Sequence, residues 1–288
     1  MNKRILVPTD FSKNSLNAIH YALELYKSVD SDFYFMNVYQ VDGYTIDNMM
    51  MFPEPGEPNY EAAKSKSKEG LEALLEHLKF HADNSKHTYH TISTFNSLLE
   101  AVKMTISQKD IDLVIMGTKG NTGSNSVLYG TNTINVMEEL TGCPVLSIPE
   151  KVQFTPPKEI VFPTDFNTAF KHKELDCLIE IAKIHNCFVR VLHIDSKSNH
   201  TDGLDRKQQE NKELLHTILG QTEHSFHSLR NVKVQDGINA FVESRDSDMI
   251  AFINPKHHFF RNLFKKPLVK ELGFHSYIPI LEMNDRST

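Results

Sequence analysis

The stretch Arg4-Ile5-Leu6-Val7-Pro8-Thr9-Asp10-Phe11-Ser12 decides how the chain is read. A second version of it, Glu159-Ile160-Val161-Phe162-Pro163-Thr164-Asp165-Phe166-Asn167, lies in the other half. In each version an apolar run ends in Pro-Thr-Asp, as a short buried strand does when it enters a turn. Two further anchors recur in the same order. Asp110-Ile111-Asp112-Leu113-Val114-Ile115-Met116 matches Asp246-Ser247-Asp248-Met249-Ile250-Ala251-Phe252, and Cys143-Pro144-Val145-Leu146 matches Ile278-Pro279-Ile280-Leu281. Anchors repeated in one order mean two tandem copies of one domain. The offset between copies shrinks along the chain, so the second copy is the shorter. The expected domains are residues 1–150 and 158–284, with a linker over 151–157 where Thr155-Pro156-Pro157 breaks regular structure.

Between the anchors, strands and helices alternate. In the first copy Ile5–Pro8 is a strand, and Ser12 caps a helix with Leu16, Ile19, Leu23 and Tyr26 on one face. Phe33–Tyr39 is the second strand. A polar loop over Val41–Pro58 leads to a helix over Tyr60–Ala82 that turns Leu71, Leu74, Leu75 and Leu78 inward. A strand over His87–Ser93, a helix over Leu98–Gln108, a strand over Asp112–Met116, a helix over Thr131–Leu140 and a strand over Val145–Ile148 complete the copy. This rhythm predicts an α/β fold, a parallel sheet with helices on both faces joined by right-handed crossovers.

Composition narrows the function. Of 288 residues, 40% are hydrophobic and 24% charged, as in a globular chain. No apolar run approaches the roughly 18 residues of a membrane span. The apolar run at the start stops at Asp10, too short for a signal-peptide core. A net charge of -6 argues against a general nucleic-acid binder. Cys143, Cys177 and Cys187 form no Cys-x-x-Cys pair, which points to buried thiols in a reducing, cytoplasmic compartment.

Glycine is scarce, with 12 in the chain, yet Gly117, Gly120, Gly123 and Gly130 cluster between a strand and a helix. That order sets backbone N–H groups and a helix N-terminus at the carboxyl end of a parallel strand, where phosphate binds well. Glycines there allow positive φ and close approach of a ligand. Thr131, Asn132 and Thr133 add side-chain donors at the helix start. The loop lacks the Gly-Lys-Ser/Thr ending of a Walker motif and contains no Gly-x-Gly-x-x-Gly, so neither a P-loop ATPase nor a dinucleotide dehydrogenase is supported. Neither a metal-spaced His/Cys motif nor a Gly-x-Ser-x-Gly elbow occurs. The plain alternative is a surface loop with glycines at its turns.

The spacing Gly117-x2-Gly120-x9-Gly130-Thr131, together with Ile5-Leu6-Val7-Pro8-Thr9-Asp10-Phe11-Ser12, resembles the universal stress protein family, and the repeat makes the chain similar to its tandem form. The resemblance implies two Rossmann-like, adenine nucleotide alpha hydrolase-like domains, each a five-stranded parallel sheet of order 3-2-1-4-5. It implies ATP or another adenine nucleotide, with Mg²⁺, at the carboxyl ends of strands one and four. There Asp10 would touch ribose or the adenine edge, Val38 the base, and Gly117, Gly120 and Gly130 would admit phosphates that Thr131, Asn132 and Thr133 cap. Pro8, Thr9 and Met116 complete the expected site, Met116 as core at the rim of the base. Single-domain members pair through their last strands, so Val145–Ile148 and Ile278–Leu281 are expected to pair within one chain as a pseudo-dimer, with homodimerisation left open.

The second copy departs from the pattern. It keeps Asp165, but Ile253 and Lys256 stand where Gly117 and Gly120 align, and Lys266-Pro267 lies near the Gly130-Thr131 position. The aspartate therefore recurs without the glycine loop, which assigns part of its role to the turn itself. The segment Lys256–Lys270 carries Lys256, Arg261, Lys265, Lys266 and Lys270 among Phe259, Phe260 and Phe264, with no acid. Its expected form is a short helix with the phenylalanines in the core and a solvated basic face; the alternative is a dock for an anionic partner. The functional expectation is a cytoplasmic, ATP-binding stress-response module with an unidentified protein partner and no catalytic residues. A slow ATPase in the same pocket, or an interaction protein with a vestigial site, are the competing readings.

Overall fold

The computed structural model describes residues 2–41, 56–118, 130–195, 204–254 and 278–284. The chain divides into two compact units, 1–154 and 155–288. The first contains β1 (Lys3–Pro8), α1 (Lys13–Leu25), β2 (Ser31–Tyr39), α2 (Pro58–His81), β3 (His87–Phe95), α3 (Leu98–Lys109), β4 (Leu113–Gly117), α4 (Thr131–Glu139) and β5 (Val145–Ile148). Its strands are parallel in the order β3-β2-β1-β4-β5. The second contains β6 (Glu159–Thr164), α5 (His172–His185), β7 (Phe188–Asp195), α6 (Arg206–Ile218), β8 (His224–Arg230), α7 (Val234–Arg245), β9 (Met249–Asn254) and β10 (Ile280–Asn284). Its order, β8-β7-β6-β9-β10, repeats the first, again all parallel. The α/β class expected from the alternation of strands and helices, and the 3-2-1-4-5 order that the resemblance implies, are the observed ones.

The central strand of each sheet is covered on both faces. Ile5, Leu6 and Val7 are fully buried in the first unit, as are Ile160 and Val161 in the second. Unbroken apolar runs suit parallel strands with helices on either side. Helix α1 starts at Ser12, whose hydroxyl accepts from Ser15 N at 3.2 Å. Its buried face runs through Ser15, Ala18, Ile19, Ala22 and Leu25. Leu16, expected inward, is only half-buried, while Ile19, Leu23 and Tyr26 are buried as expected. On α2, Leu71, Leu74 and Leu78 are buried as expected, while Leu75 sits at the flank, half-exposed.

The repeat anchors prove to be turn-forming residues. Asp110 and Asp246 end α3 and α7 in the left-handed conformation, with φ of 48° and 53°. Short polar residues tolerate that region best. Two residues on, Asp112 Oδ2 accepts from Arg4 N at 2.9 Å, and Asp248 Oδ2 accepts from Glu159 N at 2.9 Å and Lys158 N at 2.7 Å. Each aspartate thus ties the start of its central strand to the neighbouring strand. At the junction, Asn17 Nδ2 donates to Val152 O at 2.7 Å, and Tyr21 meets Phe154 edge-on with ring centroids 5.1 Å apart. Val152 and Phe154 therefore pack against α1 of the first unit.

The three cysteines form no disulfide and are buried, and burial pushes the Cys187 thiol up to about 12. No helix among the described residues is long and apolar enough to cross a membrane. The loop over 42–55, Lys119, Gly120, Gly123 and the basic segment over 256–270 lie outside the described residues.

Candidate functional site

Strand β1 ends at Pro8, which is buried, and the chain then turns sharply. Phe11 adopts φ of 62°, an unusual value for a bulky residue, costing about 1 kcal/mol. Two side chains hold it there. Thr9 Oγ1 accepts from Phe11 N at 3.1 Å, and Asp10 Oδ1 accepts from Ser12 N at 3.1 Å. Thr9 is buried, and its hydroxyl also meets Ser15 Oγ at 3.0 Å. Asn37, buried near the end of β2, donates Nδ2 to Thr9 O at 2.7 Å. Asp10 itself stays half-exposed at the strand end. A Cβ on Gly70 of α2 would stand 2.6 Å from the Phe11 ring, so α2 lies directly against this turn.

The second copy builds the same turn with the same residue types. Phe166 has φ of 58°. Thr164 Oγ1 accepts from Phe166 N at 3.1 Å and Asp165 Oδ1 from Asn167 N at 2.9 Å. His193, one residue from the Ile194 that corresponds to Val38, pairs Nδ1 with Thr164 O at 3.1 Å, as Asn37 does with Thr9. The Thr-Asp pair is therefore first a turn device, in both copies, whatever else Asp10 does.

Strand β4 brings Met116 and Gly117 to the same edge, beside β1. Met116 is buried core. Gly117 faces Asn14 of α1, and a Cβ there would lie 2.8 Å from Asn14 Nδ2. Thr118, buried, anchors the edge by donating N to Ile148 O at 3.1 Å. Gly130 N then donates to Thr118 O at 2.7 Å, bringing the two ends of the glycine stretch together. Gly130 is the N-cap of α4, with φ of -69° and ψ of 153°.

Two expectations need correction. Neither Gly117 nor Gly130 has positive φ. Gly117 is small because Asn14 fills the space of a side chain, whereas Gly130, at φ of -69° and ψ of 153°, has a backbone that any residue adopts. Thr133 is not a spare donor either: it is buried and donates Oγ1 to Gly117 O at 3.0 Å. Thr131 and Asn132 are exposed in the first turn of α4. That turn holds no acidic residue and receives no side-chain cap from Gly130, so its first N–H groups are left without a partner within the helix.

Of the expected residues, Pro8, Thr9, Asp10, Met116, Gly117, Gly130, Thr131, Asn132 and Thr133 thus gather at the carboxyl edge of β1 and β4. Val38, half-buried and second to last on β2, sits at the same edge. Gly120 lies outside the described residues. Sequence reading missed Asn14, Ser15, Asn37 and Thr118. Asn37 adjoins Val38 and carried a faint signal as a polar residue closing an apolar strand. Asn14 had none, since only the docking of α1 on β4 brings it to Gly117.

Chemically, the edge offers a carboxylate, an apolar strand end and an uncapped helix N-terminus in the crevice where the sheet order reverses, the usual ligand position in open α/β sheets. Among the described residues no cluster of three or more His, Cys, Asp or Glu is arranged to hold a metal ion.

Known proteins agree with this architecture. The model of the universal stress protein family matches residues 1–149. A universal stress protein of Methanocaldococcus jannaschii is 28% identical over 146 residues, covering 51% of this chain and 81% of that protein. Among solved structures, a universal stress protein from Archaeoglobus fulgidus aligns with a TM-score of 0.67 at 14% identity, over 98% of this chain and 96% of that one. A putative universal stress protein from Pseudomonas aeruginosa aligns with a TM-score of 0.59 at 11% identity, over 98% and 93%. Identities this low speak for the fold alone, but the family match rests on sequence and spans just over half of the chain. With the repeated Pro-Thr-Asp turn and the sheet order pointing the same way, the chain belongs to the universal stress protein family.

Proposed function

We propose that the first unit binds ATP, with its phosphates at the N-terminus of α4, its ribose near Asp10 and its base near Val38. The chain would act as a nucleotide-responsive binding module in a stress response and not as an enzyme. The observation that carries this reading is the start of α4. Gly130 leaves it uncapped, no acid stands in its first turn, and Thr131 and Asn132 are exposed beside the backbone N–H groups. Free N–H groups and the helix dipole both favour a polyphosphate. Mg²⁺ enters with the nucleotide, since phosphate oxygens supply most of its ligands. No catalytic residue is assigned. Buried thiols at Cys143, Cys177 and Cys187 fit a reducing, cytoplasmic setting.

The direct test is to denature freshly purified protein and identify any released nucleotide by mass spectrometry. One ATP per chain supports a single site in the first unit. Two per chain would overturn the assignment to the first unit alone. None released, with no heat on titration with ATP and Mg²⁺, would sink the proposal. Steady release of phosphate from labelled ATP would favour the slow ATPase.

A further inference from the structure

The second unit holds a cavity of about 340 Å³ at the edge that corresponds to the candidate site of the first. Strand register makes the correspondence residue by residue. Pro163, Thr164 and Asp165 take the places of Pro8, Thr9 and Asp10, Ile194 that of Val38, and Phe252 and Ile253 those of Met116 and Gly117. Val234, the first residue of α7, stands where Leu98 opens α3. The exchanges of Val38 for Ile194, Met116 for Phe252 and Gly117 for Ile253 make the edge bulkier and more apolar.

The cavity is ill-suited to an anion. Among its described lining residues none is basic, and two are acids, Asp165 and Glu174. Ile253 places a branched side chain where the first unit has Gly117. Three of the polar residues that line the cavity already hold hydrogen bonds. Both Asp165 oxygens accept from Asn167, at 2.9 and 2.8 Å. Glu174 Oε2 accepts from Lys171 N at 2.9 Å, and Thr164 Oγ1 from Phe166 N. What remains for a ligand is an apolar wall. Part of it is aromatic, with Phe162 and Phe170 edge-to-face, centroids 5.5 Å apart.

We infer that this cavity is a second ligand site, for an uncharged aromatic molecule of one or two rings. Its volume lies at the small end of the roughly 300–1,000 Å³ usual for small-molecule pockets. Ring edges and faces already in place there favour a planar partner. The inference is independent of nucleotide binding by the first unit. In this reading the second copy has exchanged an anion-binding crevice for a largely apolar one, so one chain can carry two unlike ligands.

The test is titration of the full chain with the neutral two-ring probe 6-propionyl-2-(dimethylamino)naphthalene, read by its fluorescence. The expected result is saturable enhancement at one probe per chain, unchanged by saturating ATP and Mg²⁺. Val234→Glu sets a charge against the cavity and is expected to weaken binding about tenfold or more. Leu98→Glu, the same change at the matching helix start of the first unit, leaves it unaltered. Thr168→Trp, at an exposed position on the rim, is expected to weaken it by filling space and spares the core if Val234→Glu fails to fold. The proposal falls if enhancement never saturates, if ATP displaces the probe, if Leu98→Glu weakens binding while Val234→Glu does not, or if Val234→Glu and Thr168→Trp both bind like the parent.

Discussion

Asn14 lies so close to Gly117 that a Cβ on the glycine would stand 2.8 Å from its Nδ2 and 2.9 Å from its Cγ. A glycine that sequence reading assigns to phosphate access is thus also a packing residue between α1 and β4. Gly117→Ala is expected to destabilise the fold by about 1–3 kcal/mol through overpacking. Urea unfolding of Gly117→Ala, Asn14→Ala and the double variant measures the coupling. Additive costs would show that the two residues do not compete for space. A loss of nucleotide binding in Gly117→Ala alone is accordingly no measure of phosphate contact.

A cleaner probe of the proposed phosphate site is Thr131→Glu. Thr131 is exposed in the first turn of α4, where a carboxylate favours the helix by about 0.3–1 kcal/mol. The same charge repels phosphate. The expected outcome is an unchanged or slightly raised Tm with ATP affinity lowered by about tenfold or more, read by calorimetric titration. Unchanged affinity would place the phosphates elsewhere.

Asp10 and Asp165 hold the same turn, so paired substitutions separate structure from binding. Asn retains the Oδ1 acceptor used by Ser12 N and Asn167 N, and Asp10→Asn and Asp165→Asn are expected to keep the fold. Only Asp10→Asn should weaken ATP. Asp→Ala at either site should cost about 1 kcal/mol by loss of the turn bond. Equal effects of both Asn variants on ATP binding would remove Asp10 from the site.

A pH response is built into the second unit. Glu159 receives Arg245 Nε at 2.7 Å, Arg245 Nη2 at 2.7 Å, Arg190 Nε at 2.7 Å and Ser247 Oγ at 2.8 Å. Burial by itself would raise this carboxyl, but the bonds from Arg245, Arg190 and Ser247 prevail and hold it at about 2, against 4.5 when unperturbed. A lowered carboxylate contributes stability in full above 4.5 and loses it as pH falls toward 2. At about 1.4 kcal/mol per pH unit, that contribution is about 3 kcal/mol. Glu159→Gln strands two guanidinium groups and is expected to cost about 2–4 kcal/mol at pH 7. The gap between parent and variant in urea unfolding should close as pH falls from 4.5 to 2. A gap that stays constant over that range would contradict the assignment.

The repeat was readable because it depends on local chemistry, whereas the sheet order came from the resemblance to the family. Apolar runs ending in Pro-Thr-Asp mark strand ends, and the bonds Thr9–Phe11 and Asp10–Ser12 span two residues each. The buried face of α1 was largely readable, since Ile19, Leu23 and Tyr26 are buried and only Leu16 of the expected four is not. What the reading missed are Asn14, Ser15, Ala18 and Ala22, which carry little apolar signal and lie on the same buried face. The roles of Gly117 and Thr133 were misjudged for a related reason. Their partners, Asn14 and the Gly117 carbonyl, are distant in sequence or belong to the backbone, and periodicity shows neither.

Through its resemblance to the universal stress protein family the sequence implied the order of strands; by itself it determined the α/β class, the two copies and the edge at which the first copy presents its glycines. Those three follow from short-range patterns of burial and turn chemistry. Only the tertiary structure decided which side chains at that edge are spent on the fold and which remain for a ligand. It alone set Asn14 against Gly117, engaged Thr133, left the start of α4 uncapped and opened an apolar cavity beside Asp165. Those outcomes depend on how closely separate elements approach, a distance that no local pattern encodes.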